Sequence, residues 1–238
     1  VFSGNGITIA TAGVDVVLRG LSINGLGGSG SGIHMTAGDG LIVQNCTISN
    51  FSSGYGLYVS TSARVRLLDS QVRGNYRGAV FASGATVLVS GSRFLDSTEE
   101  GLYAFASGAG VVTKVEVSRS EASSNGQYGF YAYAASSGRV ELNVKDSVAA
   151  RNSSGVYATA STGTALARVS NSLISGNTFY GLRAGGSGAK LLASGNEVSD
   201  NDTGLHQSSS AVLQSTGDNT VSDNTTNTSG TITSLANM

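Results

Sequence analysis

Tyr58, Tyr103, Tyr131 and Tyr157 each stand two residues after a glycine, at Gly56, Gly101, Gly129 and Gly155. Tyrosine has a flat apolar body and a hydroxyl tip, so a regularly spaced row offers stacking surface and hydrogen bonds to an extended ligand such as a polysaccharide. Further groups suited to holding a ligand lie close by: Phe105 and Tyr133, and, beside the equivalent glycines, Arg77, Glu100, Tyr128, Tyr180 and Arg183. All nine tyrosines of the chain fall in or next to the segments that these glycines open. A protein partner shares this reading, because tyrosine is enriched at interfaces. A second reading stays open beside it, in which the tyrosines stack on one another as cross-strand pairs worth about 0.2 to 1 kcal/mol each.

Acid and base chemistry would have to draw on Glu99 and Glu100, with Arg77 to neutralise a substrate carboxylate and Asp96 and Tyr103 nearby. The plainer reading of these charges is a solvated turn, and no catalytic residue is assigned. No metal or cofactor is expected. Cys46 is the only cysteine and reads as a small buried side chain. The two histidines, His34 and His206, start seven repeats apart, roughly 30 Å at about 4.8 Å per coil, too far to share an ion.

Composition narrows the partners. Charged residues make up 12% of the chain and the formal net charge is -1, which leaves no basic surface for a phosphate backbone. Nucleic acid is therefore not expected. No stretch has the apolar length of a membrane-spanning helix, and no basic-then-apolar leader opens the sequence, so it reads as soluble. Hydrophobic residues at 39% are enough to build a core, whereas 34 glycines with no proline or tryptophan are unusual for an ordinary globular domain.

The elements that position the tyrosines follow from a repeat. A glycine followed by an apolar residue recurs at Gly6, Gly32, Gly56, Gly78, Gly101, Gly129, Gly155, Gly181 and Gly204, at intervals of 22 to 28 residues. Each repeat holds three short alternating segments and no helical periodicity, as in Leu102 to Phe105, Val111 to Val117 and Leu173 to Ser175. A variable period built from strands is the pattern of a solenoid whose turns differ in length. The expectation is an all-β, right-handed parallel β-helix of about nine coils of three strands. A single domain over 1–224 is expected, with 225–238, rich in Thr, Asn and Ser, as a C-terminal cap or tail.

Stacked repeats place like beside like. The inward column of the first segment reads Ile7, Ile33, Leu57, Ala79, Leu102, Phe130, Val156, Leu182, Leu205, and its outward neighbour Thr8, His34, Tyr58, Val80, Tyr103, Tyr131, Tyr157, Arg183, His206. Before the third segment, Asn45, Asp69, Asp146, Asn171 and Asp218 alternate with Gly20, Gly91 and Gly195 at a corner that calls for left-handed backbone; Arg119 is the exception by type. After it, Asn75, Asn125, Asn152, Asn177, Asn201 and Asn224 recur as an expected asparagine ladder. Outward charges on the second segment, among them Arg64, Arg66, Lys114, Glu116 and Glu141, read as a solubilising ladder with Lys114 beside Glu141.

The apolar-x-Asn-x-x-Gly-apolar junction, seen from Val198 through Asn201 to Gly204 and Leu205, recurs along nearly the whole chain. In this it resembles the pectate-lyase-like superfamily of right-handed parallel β-helices, and more closely the secreted bacterial β-helix-repeat proteins of unassigned function. The resemblance implies the fold and a secreted or surface-displayed protein. It does not fix an activity, because the superfamily spans enzymes, adhesins and surface modules. The Asn-Thr-Asp, Asp-Asp, Gly-His-Gly and Arg-Ile-Lys motifs of its polygalacturonases have no better counterpart than Asn201-Asp202-Thr203, and a chain without proline holds no Asp-Pro-His.

The favoured expectation is thus a non-catalytic module whose Tyr-rich face binds polysaccharide or a cell-surface protein. A polysaccharide lyase or glycoside hydrolase acting on the same face is one alternative. A filament or sheath subunit that associates end to end through open strand edges is another.

Overall fold

Short alternating segments bury one face each, and only neighbouring repeats can cover their edges. A computed structural model describes residues 4–235, all of whose regular structure is β-strand. Three parallel sheets wind into a right-handed solenoid of about nine turns, as the repeat predicts. The first sheet runs over ten strands from Ile7–Ile9 to Thr226–Ser229 and the second over ten from Asp15–Arg19 to Ile232–Leu235. The third has nine, from Ser22–Asn24 to Thr220–Val221. Thr226–Ser229 and Ile232–Leu235 thus extend the first two sheets from within the expected C-terminal segment. Residues 1–3 of the expected domain and 236–238 of the expected cap lie outside the described residues.

The inward columns pair in the expected register. Ile33, Leu57, Ala79, Leu102, Phe130, Val156 and Leu182 follow one another across the first sheet, and Ile48, Val72, Phe94, Ala122, Ala149, Ile174 and Val198 across the third, all fully buried. Each coil therefore takes its dry contact from the coils above and below, which a lone repeat lacks. The middle coils are longer, and their extra residues lengthen the strands to Tyr128–Ala135 and Arg139–Lys145. Interior alanines, Ala104, Ala132, Ala158 and Ala184 in register, replace the bulkier Phe81 and Val59 of earlier coils.

The corners carry two polar ladders. Asn45, Asp69, Arg119, Asp146 and Asn171 adopt left-handed backbone with φ of 47 to 52°, beside Gly20, Gly91 and Gly195. Arg119 is thus exceptional in type and regular in conformation. Asp218 departs from the column: register Ala193↔Ser215 and Glu197↔Thr220 puts one extra residue in that corner, and the left-handed turn is not made there. The expected asparagine ladder forms at the other corner. Asn152 Oδ1 accepts from both the backbone N–H and the Nδ2 of Asn125 at 3.0 Å, and Asn152 Nδ2 donates to the Ala122 carbonyl at 3.0 Å. Asn177 and Asn201 repeat the pattern one coil on.

A second ladder escaped the sequence reading. The hydroxyl oxygens of Ser70, Ser92, Ser120, Ser147 and Ser172 each accept the backbone N–H of the equivalent residue one coil earlier, at 3.1 to 3.2 Å. Asn196 and Asn219 carry it on, and Cys46, buried as expected, opens it with its N–H. Without these acceptors the corner amides would be buried and unpaired.

Candidate ligand-binding face

In nine of the ten first-sheet strands a glycine precedes the inward residue, and at those nine nothing larger fits. A Cβ on Gly155 would lie 2.7 Å from Ile174 Cγ2 and 2.8 Å from the Gly181 carbonyl oxygen. The chain crosses this tight corner, turns one apolar residue inward and presents the next outward. The outward register is Thr8, His34, Tyr58, Val80, Tyr103, Tyr131, Tyr157, Arg183, His206, in the expected order.

Tyr103, Tyr131 and Tyr157 form a continuous stack along the solenoid axis. Their ring centroids are 4.9 and 5.4 Å apart and the rings are within 17° of parallel. Tyr128 packs against both Tyr131 and Tyr157 at 4.6 and 5.1 Å, and Phe105 stacks on Tyr133 at 5.7 Å in the adjacent column. Mutual stacking is therefore real, and it consumes the ring faces on which a sugar would otherwise stack. What the middle of the row offers a ligand is ring edges and hydroxyl tips. Tyr103, Tyr128, Tyr131 and Tyr157 make no hydrogen bond through their hydroxyls within the described chain. Burial raises the phenols of Tyr103 and Tyr131 well above their ordinary value, so both stay protonated donors.

An arginine closes the stack at each end. The Arg183 guanidinium lies between two rings, 4.3 Å from the Tyr157 centroid and 4.7 Å from that of Tyr180. It has no acidic partner among the described residues, and its Nε is buried without a hydrogen bond. His206, one coil further, stacks on Tyr180 at 4.3 Å; burial and then the Arg183 charge lower its pKa. At the other end Arg77 lies 5.3 Å from the Tyr103 ring but is fully engaged. Its Nε donates to Glu99 Oε2 at 2.7 Å and lies 2.8 Å from Glu100 Oε2.

The acidic pair is committed to partners within the chain. Glu99 Oε1 also accepts from the Tyr76 hydroxyl at 2.7 Å. Glu100 is buried, and that burial raises its carboxyl pKa against the lowering effect of Arg77. This corrects the picture of a solvated turn: the cluster is a partly buried ion-pair network, in which removing one member strands another.

The structure brings together Tyr103, Phe105, Tyr128, Tyr131, Tyr133, Tyr157, Tyr180 and Arg183, with Arg77 and Glu100 at one end. Tyr58 stands apart. Val80 separates it from Tyr103 in register, and Tyr58 instead stacks on His34 at 4.8 Å and tilts against Tyr55 at 4.9 Å. His34 and His206, placed in the outward column by the repeat but not counted as ligand residues, belong to this face through their ring contacts. No group of three or more His, Cys, Asp or Glu suited to a metal occurs among the described residues.

A family model described as "Right handed beta helix region" matches residues 5–168 and, in a second overlapping match, 108–233. No curated protein and no solved structure matches the chain. The repeat, the three parallel sheets and this match together place the chain in the right-handed β-helix family.

Proposed function

We propose that the aromatic face of the middle coils binds an extended carbohydrate chain laid along the solenoid axis, as a non-catalytic module. The observation that carries this is the stack of Tyr103, Tyr131 and Tyr157, near-parallel rings with centroids 4.9 and 5.4 Å apart along the axis whose hydroxyls have no hydrogen bond among the described residues. A linear polymer with hydroxyls recurring at about that interval meets one donor per coil, and the rings, held by their neighbours, lose little freedom on binding. Arg183, without an acidic partner, adds a charged hydrogen-bond donor at one end. The setting that fits this task is secreted or at a cell surface, where polysaccharides lie.

The internal commitment of Glu99 and Glu100 supports binding over catalysis, since a general acid and base must reach substrate protons. The test is a glycan array probed with the whole chain, alongside reducing-sugar and unsaturated-product assays on each retained glycan. Retention without product is the expected result. An array with no retained glycan would overturn the proposal, and product release would make the face an active site.

A further inference from the structure

The outward face of the second sheet, which reads in the sequence as a solubilising ladder, holds a shallow groove of about 590 Å³ over its first five coils. It arises because Gly40 contributes no side chain between Asp15 and Arg64, its register partners, while long side chains rise around it. Its floor includes apolar side chains left open to solvent: Val17 is 55% exposed and Leu88 39%, with Ile42 half-buried between Val17 and Arg66 in register. Outward apolar residues on a solvated sheet face normally alternate with polar ones, yet here three of four successive rows carry one.

Arg64 and Arg66 share one strand and one face, and both line the groove. Neither forms an ion pair, a side-chain hydrogen bond or a ring contact among the described residues. Of the other basic groups on this face, Arg139 pairs with Glu141 at 2.7 Å, Arg168 donates to Asn143 at 3.4 Å, and Lys114, which lines the far end of the groove, lies 3.9 Å from Glu141; Lys190 also lacks a partner among the described residues but lies outside the groove. The acidic groups of the groove, Asp15 and Glu116, sit two coils to either side of the arginine row.

We infer that this groove is a binding site for an amphiphilic anion, a small molecule with a carboxylate head and an extended apolar body. The carboxylate lies over Arg64 and Arg66, whose planar forks match it in geometry. The apolar body runs over Ile42 and Val17, beside the space that Gly40 leaves open. The rows from Val17 to Leu88 span roughly 14 Å at about 4.8 Å per coil. The volume falls within the roughly 300 to 1,000 Å³ usual for small-molecule sites. A second copy of the chain fits less well: a two-fold axis in the plane of the groove and through its middle sets the Arg64–Arg66 row against its own copy, cation on cation. The site is on a different sheet from the tyrosine stack and does not depend on its function.

The test is titration calorimetry of the whole chain with decanoate below its micelle concentration, with acetate and decan-1-ol as ligands that keep only the charge or only the tail. Saturable one-to-one binding of decanoate is expected, at least tenfold tighter than either control. The exposed double variant Arg64→Ala/Arg66→Ala should lose at least tenfold in affinity with an unchanged circular dichroism spectrum, while Arg168→Ala on the same face binds as the parent does. Absence of saturable decanoate binding, equal binding by the double variant, or equal binding of decan-1-ol would overturn the assignment. So would sedimentation showing a dimer of the free chain that Leu88→Glu dissociates.

Discussion

Asn152→Ala isolates one rung of the asparagine ladder at the corner that leads into the tyrosine-bearing strands. The Asn152 side chain is buried, accepts from the Asn125 backbone N–H and Nδ2, and donates to the Ala122 carbonyl and to Asn177 Oδ1. Truncation leaves the Asn125 backbone N–H and the Ala122 carbonyl without these partners in a dry corner. An orphaned buried polar group costs about 1 to 3 kcal/mol, so two cost about 2 to 6 kcal/mol before the corner relaxes or admits water. The expected loss is about 2 to 5 kcal/mol, because water satisfies part of the deficit. Urea denaturation gives the total, and amide hydrogen exchange gives its location: Asn125 should lose protection first, and distant coils such as that of Leu41 last, since repeats stabilise mainly their neighbours. A loss under about 1 kcal/mol, or protection lost equally in all coils, would refute the view that the ladder carries the corner.

Gly155→Ala forces a methyl against Ile174 Cγ2 and the Gly181 carbonyl, and overpacking of this kind costs about 1 to 3 kcal/mol; Gly217→Ala, with nothing within 4 Å, should be neutral in the same denaturation assay. Glu100 has a folded pKa above its unfolded value, so its contribution is present at low pH and is lost as pH rises through the folded pKa. Lowering the pH from 7 towards the ordinary carboxylate range, about 4.3, should therefore stabilise the parent relative to Glu100→Gln in urea denaturation; a difference independent of pH would count against its burial. His206 works in the opposite sense: its pKa is lowered, so its contribution holds above about 6.5 and is lost as pH falls, and His206→Gln should flatten that part of the profile.

Much of this architecture is legible in the sequence, for one physical reason. A solenoid stacks like on like, so columns read by offset become registers in space, and the inward and outward columns from Ile33 and His34 through Leu205 and His206 emerged in order. The asparagine ladder was visible for the same reason. The serine ladder was not, because serine is common everywhere in this chain and its only signal is a constant place one residue before each third-sheet strand. Direction within the face was also hidden: alternation places Tyr131 outward, but that its ring lies flat on Tyr103 depends on side-chain torsions. Glu100 followed a turn in the sequence and became buried because Arg77, one coil earlier, reaches over it. The groove on the second sheet depends on a missing side chain at Gly40 and on which arginines lack partners, neither of which periodicity reports.

The central claim is that the hydroxyl row of the stacked tyrosines meets the ligand, and it is tested most directly by titrating the best glycan from the array into the parent and into Tyr131→Phe. The phenylalanine keeps both ring stacks and removes one free hydroxyl, so thermal stability should not change. A hydrogen bond is worth about 0.5 to 1.5 kcal/mol net, which predicts a loss of affinity of about 2- to 12-fold. Equal affinity for parent and variant, with the glycan still bound, would contradict the account and move the binding surface elsewhere.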